Sequence, residues 1–309
     1  MKHYIISTLS LLALFSFSAC DDDNAIQSES IITVDGYTQN AFDKWLEKNY
    51  VLPYNIEFKY RYEEIEADYN HYTVPAGLYS SIKMANLIKY LCIETYNEVA
   101  NVEFTRSYFP KEFFMIGEFE YQNNGTMVLG TAEGGRKIIM AGLNNLDYIM
   151  ESGMDDLNEY YIKTIHHEFT HIMNQVVSYP TDFQNINGDR FVNDSWNNPP
   201  YKSDYLKRGF ITSYAQKEHR EDFAEMLSVY VTHDSVWWEK QMVEADEKYA
   251  DNSKVKDMTG RELIEMKLKI VREYLLESFN IDIDDIRRSV MRRQEDVENG
   301  LVNLTNIDL

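Results

Sequence analysis

The clearest hydrophobic period in the chain lies between residues 155 and 180. Polar residues at Asp155, Asp156 and Asn158 open it and Pro180 closes it, while its apolar residues recur at three- and four-residue spacing: Leu157, Tyr161, Ile165, Phe169, Ile172 and Val176. This spacing predicts an amphipathic α-helix of about six turns. Such a helix can cross a core and present its polar face to a cleft.

Upstream of this long helix, the pattern predicts four short strands and one further helix, which follows the first strand in the chain. Ile56, Phe58, Tyr60 and Tyr62 alternate with charged residues, as in a half-buried strand. The other predicted elements are a helix over 76–99, a strand over 113–121, and strands over 126–130 and 137–143, joined as a hairpin through the glycine-containing segment 131–136. A sheet edge beside the long helix would suit pairing with an extended peptide, and an ordinary structural hairpin is the alternative.

Downstream, the periodicity disappears between Ser178 and Gly209, where Asn, Asp, Pro and aromatic residues accumulate. This segment is predicted to be either a functional loop or a packed surface excursion. A helix follows from about 218 to 231, and further helical patterns after Ser235 predict a scaffold with solvated charged faces. The chain is therefore predicted to be an α+β protein with a mixed sheet packed on the long helix and a mostly helical C-terminal part.

The first residues have the pattern of an export signal. Lys2 precedes an apolar run that ends in small residues before Cys20, and three aspartates follow. Residues 1–19 are predicted to be a lipoprotein signal peptide, Cys20 the lipidated residue, 20–35 a tether, and 36–309 one domain with a lobe boundary near 178. The Asp21–Asp23 cluster resembles the surface-export signal of Bacteroidota lipoproteins, which implies the outer leaflet of the outer membrane. An ordinary secretory signal is the alternative.

The net charge and the cysteine count exclude two features, nucleic-acid binding and an intramolecular disulfide. The net charge of −21 would repel phosphate backbones, so nucleic-acid binding is not expected. After lipidation of Cys20 the chain would retain Cys92 alone, which excludes an intramolecular disulfide. Cys92 lies in an apolar helical pattern and is predicted to be buried.

The long helix carries the chemistry. Residues 167–171 have the sequence His-Glu-x-x-His, and residues four apart lie on one helix face. His167 and His171 can therefore bind one Zn²⁺ ion per chain, with Glu168 beside them as general base. His166 faces away and is predicted to be structural. A surface helix with two chance histidines is the alternative.

A catalytic zinc needs a third protein ligand. Asn174 and Val177 stand where the metzincin pattern requires Gly and His, so that class is excluded. A carboxylate from the helix at 218–231 would complete a site with two histidines and one glutamate, and Glu221 and Glu225 are the candidates. His219 is a weaker alternative.

The motifs together resemble a family. The segment 166–171 (HHEFTH), preceded by 130–137 (GTAEGGRK) and 50–56 (YVLPYNI), resembles the zinc-binding metallopeptidases of Bacteroidota, described as substrate-import-associated zinc metallohydrolase lipoproteins. The resemblance runs from about residue 45 to at least 230. It implies a zincin-like fold of the gluzincin type and a place beside an outer-membrane import system.

A narrower resemblance bears on individual residues. Ser213-Tyr214 followed by 221–225 (EDFAE) is similar to a segment of anthrax lethal factor, although Asp222 replaces an aromatic residue there. The resemblance implies that Glu221 is the third ligand, Tyr214 a transition-state hydrogen-bond donor, and Glu225 an acceptor for a ligand histidine. Glu225 as the ligand itself remains the rival.

These expectations predict a zinc-dependent hydrolase, with a peptide or protein as the most economical substrate. Two alternatives remain open. One is a surface binding module in which zinc is structural, and the other is a hydrolase of a different amide or ester. The presence of Glu168 favours an enzyme, because a structural zinc site needs no base.

Overall fold

The computed structural model describes residues 38–61, 74–121, 127–128, 132–133 and 137–309. The predicted signal peptide, Cys20 and the whole predicted tether lie outside the described residues. Across the described ranges, no helix has both the length and the apolar character needed to cross a bilayer.

The N-terminal part of the described chain surrounds a small sheet with helices. Its helices are α1 (Ala41–Leu46), α2 (Leu52–Tyr54), α3 (Leu78–Leu87), α4 (Glu94–Val99) and α5 (Val102–Tyr108), and π-type turns at Glu47–Val51 and Ile88–Ile93 join α1 to α2 and α3 to α4. The helix predicted over 76–99 is therefore confirmed, with a π-type turn in its middle.

The sheet is mixed, as predicted. The strands of this part are β1 (Glu57–Lys59), β2 (Glu112–Met115), β3 (Glu120–Tyr121), β4 (Met127–Val128), β5 (Ala132–Glu133) and β6 (Lys137–Met140). The main sheet has the order β1-β2-β6-β5, with β1, β2 and β6 parallel and β5 antiparallel at one edge. Phe58, Phe113 and Ile138 lie side by side in this register.

Two strand predictions are wrong in detail. The hairpin partner of β6 is β5, inside the predicted loop, whereas β4 pairs with β3 in a separate ribbon. Strands of two residues have too little alternation to specify a partner. The strand expected over 113–121 is interrupted near Gly117, where a Cβ would lie 2.4 Å from the Pro75 carbonyl oxygen. The continuation of β1 through Tyr62 lies outside the described residues.

The C-terminal part is helical, as predicted. Its helices are α6 (Leu146–Ser152), α7 (Met154–Leu157), α8 (Lys163–Val176), α9 (Thr181–Ile186), α10 (Tyr201–Asp204), α11 (His219–Thr232), α12 (Ser235–Ala245), α13 (Gly260–Phe279) and α14 (Ile283–Glu298). A π-type turn at Asn158–Ile162 joins α7 to α8, and 3₁₀ turns lie at Leu143–Asn145, Asn193–Asn197 and Tyr214–Gln216.

The segment between α8 and α11 is packed onto the domain. Phe183 is buried against Phe223 at a ring distance of 4.8 Å. Arg190 is also buried, where its guanidinium binds Asp251 at 2.9 Å and donates to the Arg208 carbonyl. The structure therefore shows that this segment is packed, and a functional role for it stays a prediction.

Phe169 fixes the orientation of α8. Its ring is completely buried and packs against Tyr96, Phe109 and Phe104 at centroid distances of 4.7, 5.1 and 5.9 Å. Because Phe169 lies between His167 and His171 in sequence, burying it turns the two histidines to the opposite side of the helix. Cys92 belongs to the same core and is fully buried, as predicted.

Asn40–Leu309 forms one compact unit. The lobe boundary near residue 178 stays a prediction.

A buried ion pair ties α11 to α13. Lys267 Nζ lies 2.8 and 2.7 Å from the two carboxylate oxygens of Asp222, and both side chains are fully buried. The expectation that the charges after Ser235 are all solvated is therefore wrong, because Lys267 turns inward to meet Asp222. This partner also explains a carboxylate where the lethal-factor resemblance has an aromatic residue.

Removing one member of this pair should destabilise the protein strongly. Lys267→Met would leave the Asp222 charge buried without a partner, which costs about 3–5 kcal/mol. The midpoint of guanidinium unfolding should fall accordingly. The double variant Asp222→Leu with Lys267→Met should recover most of the loss. A single variant as stable as the wild type would show that the pair does not hold the helices together.

Candidate metal centre

Three predicted ligands meet at one point. The Nε2 atoms of His167 and His171 lie 3.1 Å apart, and Glu221 Oε2 lies 3.1 and 3.2 Å from them. His167 and His171 come from successive turns of α8, whereas Glu221 comes from the first turn of α11, which packs alongside. These three side chains form the metal-ligand cluster that the described residues contain.

The spacing of the cluster fits a single metal ion. Ligand bonds of 2.0–2.1 Å in a tetrahedron separate neighbouring donor atoms by about 3.3 Å. The observed separations of 3.1 to 3.2 Å are close to this value. Two imidazole nitrogens and one carboxylate oxygen are the donor set of a catalytic zinc site with a fourth position left open.

Glu225 supports His167 from behind. His167 Nδ1 lies 2.8 Å from Glu225 Oε1, so the carboxylate stabilises a proton on Nδ1 and leaves Nε2 available to a metal. Thr212 donates to Glu225 Oε2 at 2.7 Å, and Lys163 Nζ lies 3.7 Å from the same oxygen. Glu225 thus faces the far nitrogen of His167, away from the three converging donor atoms.

The charge of Glu225 is stabilised although the side chain is buried. Burial alone would raise its pKa, but the positive charge of Lys163 and the contacts with His167 and Thr212 lower the pKa to about 2. The carboxylate therefore stays ionised at neutral pH. Together with Glu168 and Glu221 it gives the centre an excess of negative charge that favours a bound cation.

Glu168 lies where a base is expected. It is 8% exposed and lines a cleft together with His171 and Glu221. Burial raises its pKa, an effect partly opposed by the neighbouring His167 and His171. A carboxylate with a raised pKa is a better proton acceptor than an ordinary surface glutamate.

Tyr214 lies beside His167, with its ring centroid 5.9 Å from the imidazole. Trp196 packs edge-on against the same ring at 5.2 Å. Burial raises the pKa of the Tyr214 hydroxyl, and the carboxylates of Glu221, Glu225 and Glu168 raise it further. The hydroxyl therefore remains protonated and can donate a hydrogen bond.

Three residues that support the metal-ligand cluster were not identified from the sequence. Lys163 and Thr212 hold Glu225, while Lys217 Nζ lies 3.9 Å from Glu221 Oε1 and 3.5 Å from the Tyr214 hydroxyl. Lys163 and Lys217 each precede a ligand by four residues. That helical spacing was the available signal, but lysines at this spacing are common on exposed helices.

The remaining histidine candidates lie elsewhere. His166 is buried, where its Nδ1 pairs with the Tyr96 hydroxyl at 2.8 Å and burial lowers its pKa to about 3. His219 Nδ1 lies 2.6 Å from the Tyr179 hydroxyl, apart from the cluster. His233 packs against Trp237, with their ring centroids 3.9 Å apart and the ring planes tilted by 31°.

The cleft in front of the cluster has a volume of about 420 Å³. Its lining residues come from α8, α9, the segment between them and the start of α11. Within the described residues, no strand residue contributes to this lining, so peptide pairing at a sheet edge stays a prediction.

Comparison with known proteins agrees with this geometry. Residues 35–284 match the model of a family described as "Putative zinc-binding metallo-peptidase". A crystal structure titled as a "putative zinc-binding metallo-peptidase" from Bacteroides caccae has 33% sequence identity and a TM-score of 0.70, and the match covers 87% of this chain and 96% of that one. No curated protein matches.

The chain therefore belongs to this zinc-binding metallopeptidase family. Its α+β architecture, a mostly helical fold with a small sheet that is largely parallel, is shared with a metallopeptidase-like structure.

The two glutamates of α11 should differ in their effect on zinc affinity. Glu225→Gln should weaken binding about 10–100-fold, because it alters the support of a ligand but removes none. Glu221→Ala should weaken binding more, because it removes a donor atom. Competition with a chromogenic chelator measures both constants.

The exposed Glu244 provides the matched control, since Glu244→Gln should leave zinc affinity unchanged. If Glu225→Gln costs more affinity than Glu221→Ala, the two roles are reversed.

Proposed function

We propose that the protein is a zinc-dependent peptidase of the gluzincin type. The observation that carries this proposal is the convergence of His167, His171 and Glu221 on one point, with Glu168 beside them in an open cleft. A peptide is the most economical substrate, because the donor set and the base are those of amide hydrolysis.

Each residue has a distinct task in this proposal. Zinc held by His167, His171 and Glu221 would lower the pKa of water and polarise the scissile carbonyl. Glu168 takes a proton from the attacking water and returns it to the leaving amine. Tyr214 donates a hydrogen bond to the carbonyl oxygen as that oxygen gains negative charge.

Two observations favour catalysis over a structural zinc clip. A structural site normally fills all four positions with protein donors, whereas the described residues bring three together. Glu168 adds a buried carboxylate that such a site would not need. The wall of the cleft leaves Glu168, His171 and Glu221 facing a space large enough for a substrate side chain.

We further propose that the enzyme is a lipoprotein of the outer membrane, exposed at the cell surface and associated with nutrient import. The support is the apolar N-terminal run, Cys20 and the acidic Asp21–Asp23 cluster, together with the family resemblance. On this proposal its partners are a peptide or protein substrate and an outer-membrane import system, and nucleic acid is not among them.

Replacing the base should separate turnover from metal binding. Glu168→Gln should retain one equivalent of zinc, because none of the three ligands changes. It should lower kcat/KM on a mixed peptide library about 10²–10⁴-fold, because an amide cannot accept the proton. Zinc content and cleavage are measured on the same preparations.

Glu244→Gln is again the control and should cleave as the wild type does. Zinc in both proteins without cleavage by either would favour a binding module or a hydrolase of another bond. A preparation of the wild type that binds no zinc would overturn the proposal.

The anchor can be tested through the two cysteines. Cys20→Ser should abolish fatty-acid labelling and move the protein from the membrane fraction to the soluble fraction, because the acyl chains supply the membrane affinity. Cys92→Ala should leave the labelling unchanged, since Cys92 is buried in the core. Labelling that survives Cys20→Ser would contradict the lipoprotein assignment.

A further inference from the structure

His219 lines the same cleft as Glu168, His171 and Glu221. It is the first residue of α11, and the ligand Glu221 follows two residues later. A sphere with the cleft volume of 420 Å³ is about 9 Å across, which is the length of about three residues of an extended peptide. A peptide bound at the metal centre would therefore pass within reach of His219, close to the bond that is cut.

The two ring nitrogens of His219 differ in their surroundings. Nδ1 lies 2.6 Å from the Tyr179 hydroxyl. Nε2 has no hydrogen-bond partner among the residues that the structure describes, and it does not belong to the buried polar atoms that lack a partner. The side chain is half-buried and lines the cleft, so Nε2 is the accessible polar atom that His219 offers there.

Tyr179 makes Nε2 a hydrogen-bond donor. The phenol has one O–H group, and Nδ1 is its acceptor within the described part of the chain. When this hydroxyl donates to Nδ1, the proton of the neutral imidazole lies on Nε2. A protonated imidazole would also carry a proton on Nε2. In both charge states His219 therefore presents an N–H group to the cleft.

The position of this donor is fixed by the core. Tyr179 also lines the cleft, and its ring stacks on Phe223 at a centroid distance of 4.2 Å. Phe183 packs against the rings of Tyr179 and Phe223 at 5.7 and 4.8 Å, and both phenylalanines are fully buried. A donor that is already held in place loses little conformational entropy when a substrate binds.

The charges around the cleft favour an uncharged acceptor. Glu168 places a carboxylate in this space, and the net charge of the chain is −21. Arg220 at the rim is paired with Glu218 at 3.0 Å, so a substrate carboxylate would have to displace that glutamate to reach the arginine. A backbone carbonyl oxygen meets neither obstacle, and a peptide presents one at every residue.

We infer that His219 is a substrate-binding residue, whose Nε2–H donates a hydrogen bond to a backbone carbonyl oxygen of the peptide within about three residues of the scissile bond. Tyr179 is the positioning residue that holds this imidazole. The inference rests on the proposed function, because it assigns a contact between that enzyme and its substrate.

Binding to the zinc-loaded variant Glu168→Gln tests this contact without turnover. The probe is the tightest-binding peptide of a mixed library. Adding His219→Ala should weaken its binding about tenfold in calorimetric titration, the factor expected from one hydrogen bond. His219→Gln should restore part of the affinity, because its amide also donates. Both variants should retain zinc, since His219 is not in the ligand cluster.

The acceptor is identified by replacing single backbone carbonyl oxygens of the peptide with sulfur, a weaker acceptor, at each residue in turn. One such replacement should weaken binding to Glu168→Gln and have no further effect after His219→Ala, because both changes remove the same hydrogen bond. Amidation of the peptide C-terminus should leave affinity unchanged. If amidation instead reproduces the loss seen with His219→Ala, the acceptor is a carboxylate and the inference is overturned.

Tyr179→Phe keeps the ring stack and removes only the hydroxyl. It should weaken peptide binding severalfold while His219 is present and change nothing once His219→Ala has removed the imidazole. Nitrogen NMR of the imidazole should show the proton on Nε2 in Glu168→Gln and a mixture of tautomers after Tyr179→Phe. His233→Ala, at the other end of α11, is the matched control and should leave peptide affinity unchanged.

In the active enzyme, His219→Ala should raise KM about tenfold with little change in kcat, because the contact is made equally before and during the reaction. Several outcomes would overturn the inference even if cleavage proceeds: no peptide binding to Glu168→Gln, unchanged affinity after His219→Ala, an equal loss in His233→Ala, or loss of zinc. Binding that depends on His219 without any cleavage by wild type would uphold the inference and overturn the peptidase proposal.

Discussion

Three donor atoms from two different helices have to meet within a few tenths of an ångström of the distances that one metal ion imposes. The geometry of the centre therefore depends on how firmly α8 and α11 are held together. Burial of Phe169 sets the rotation of α8, while the contact between Glu225 and His167 joins the helices directly beside the ligands. Asp222, the residue after Glu221, then fixes α11 to α13 through Lys267.

The same contacts solve an electrostatic problem. Glu168, Glu221 and Glu225 place three carboxylates in a largely buried region, where unpaired charges are costly. Lys163 and Lys217 lie close enough to offset part of this charge, while the two imidazoles direct their Nε2 lone pairs towards one point. A divalent cation at that point would complete the balance. Both the arrangement of charges and the distances between donor atoms therefore favour a bound metal ion.

The sequence predicted the long helices and the motif-bearing face well, because α8 and α13 have clear apolar periods. It also led to His167, His171 and Glu221, which the structure brings together, although the choice between Glu221 and Glu225 rested on helix spacing and the lethal-factor resemblance. It failed on the pairing of β4 and β5, because two-residue strands carry almost no pattern. It also missed Lys163, Thr212 and Lys217, since their role depends on packing between elements distant in the chain.

The π-type turn at Asn158–Ile162 gives α8 an additional constraint. Such a turn holds one more residue than an α-helical turn would, so it rotates the downstream helix by roughly 100° relative to the upstream one. Asn158, the first residue of the turn, donates to the Thr232 carbonyl at 2.9 Å and accepts from Gln294 at 2.8 Å. Deleting one residue from this turn would either break the hydrogen bonds of Asn158 at the end of α11 or rotate His167 and His171 away from Glu221. Insertions and deletions should therefore be rarer here than in the neighbouring loops, even though none of these five residues belongs to the ligand cluster.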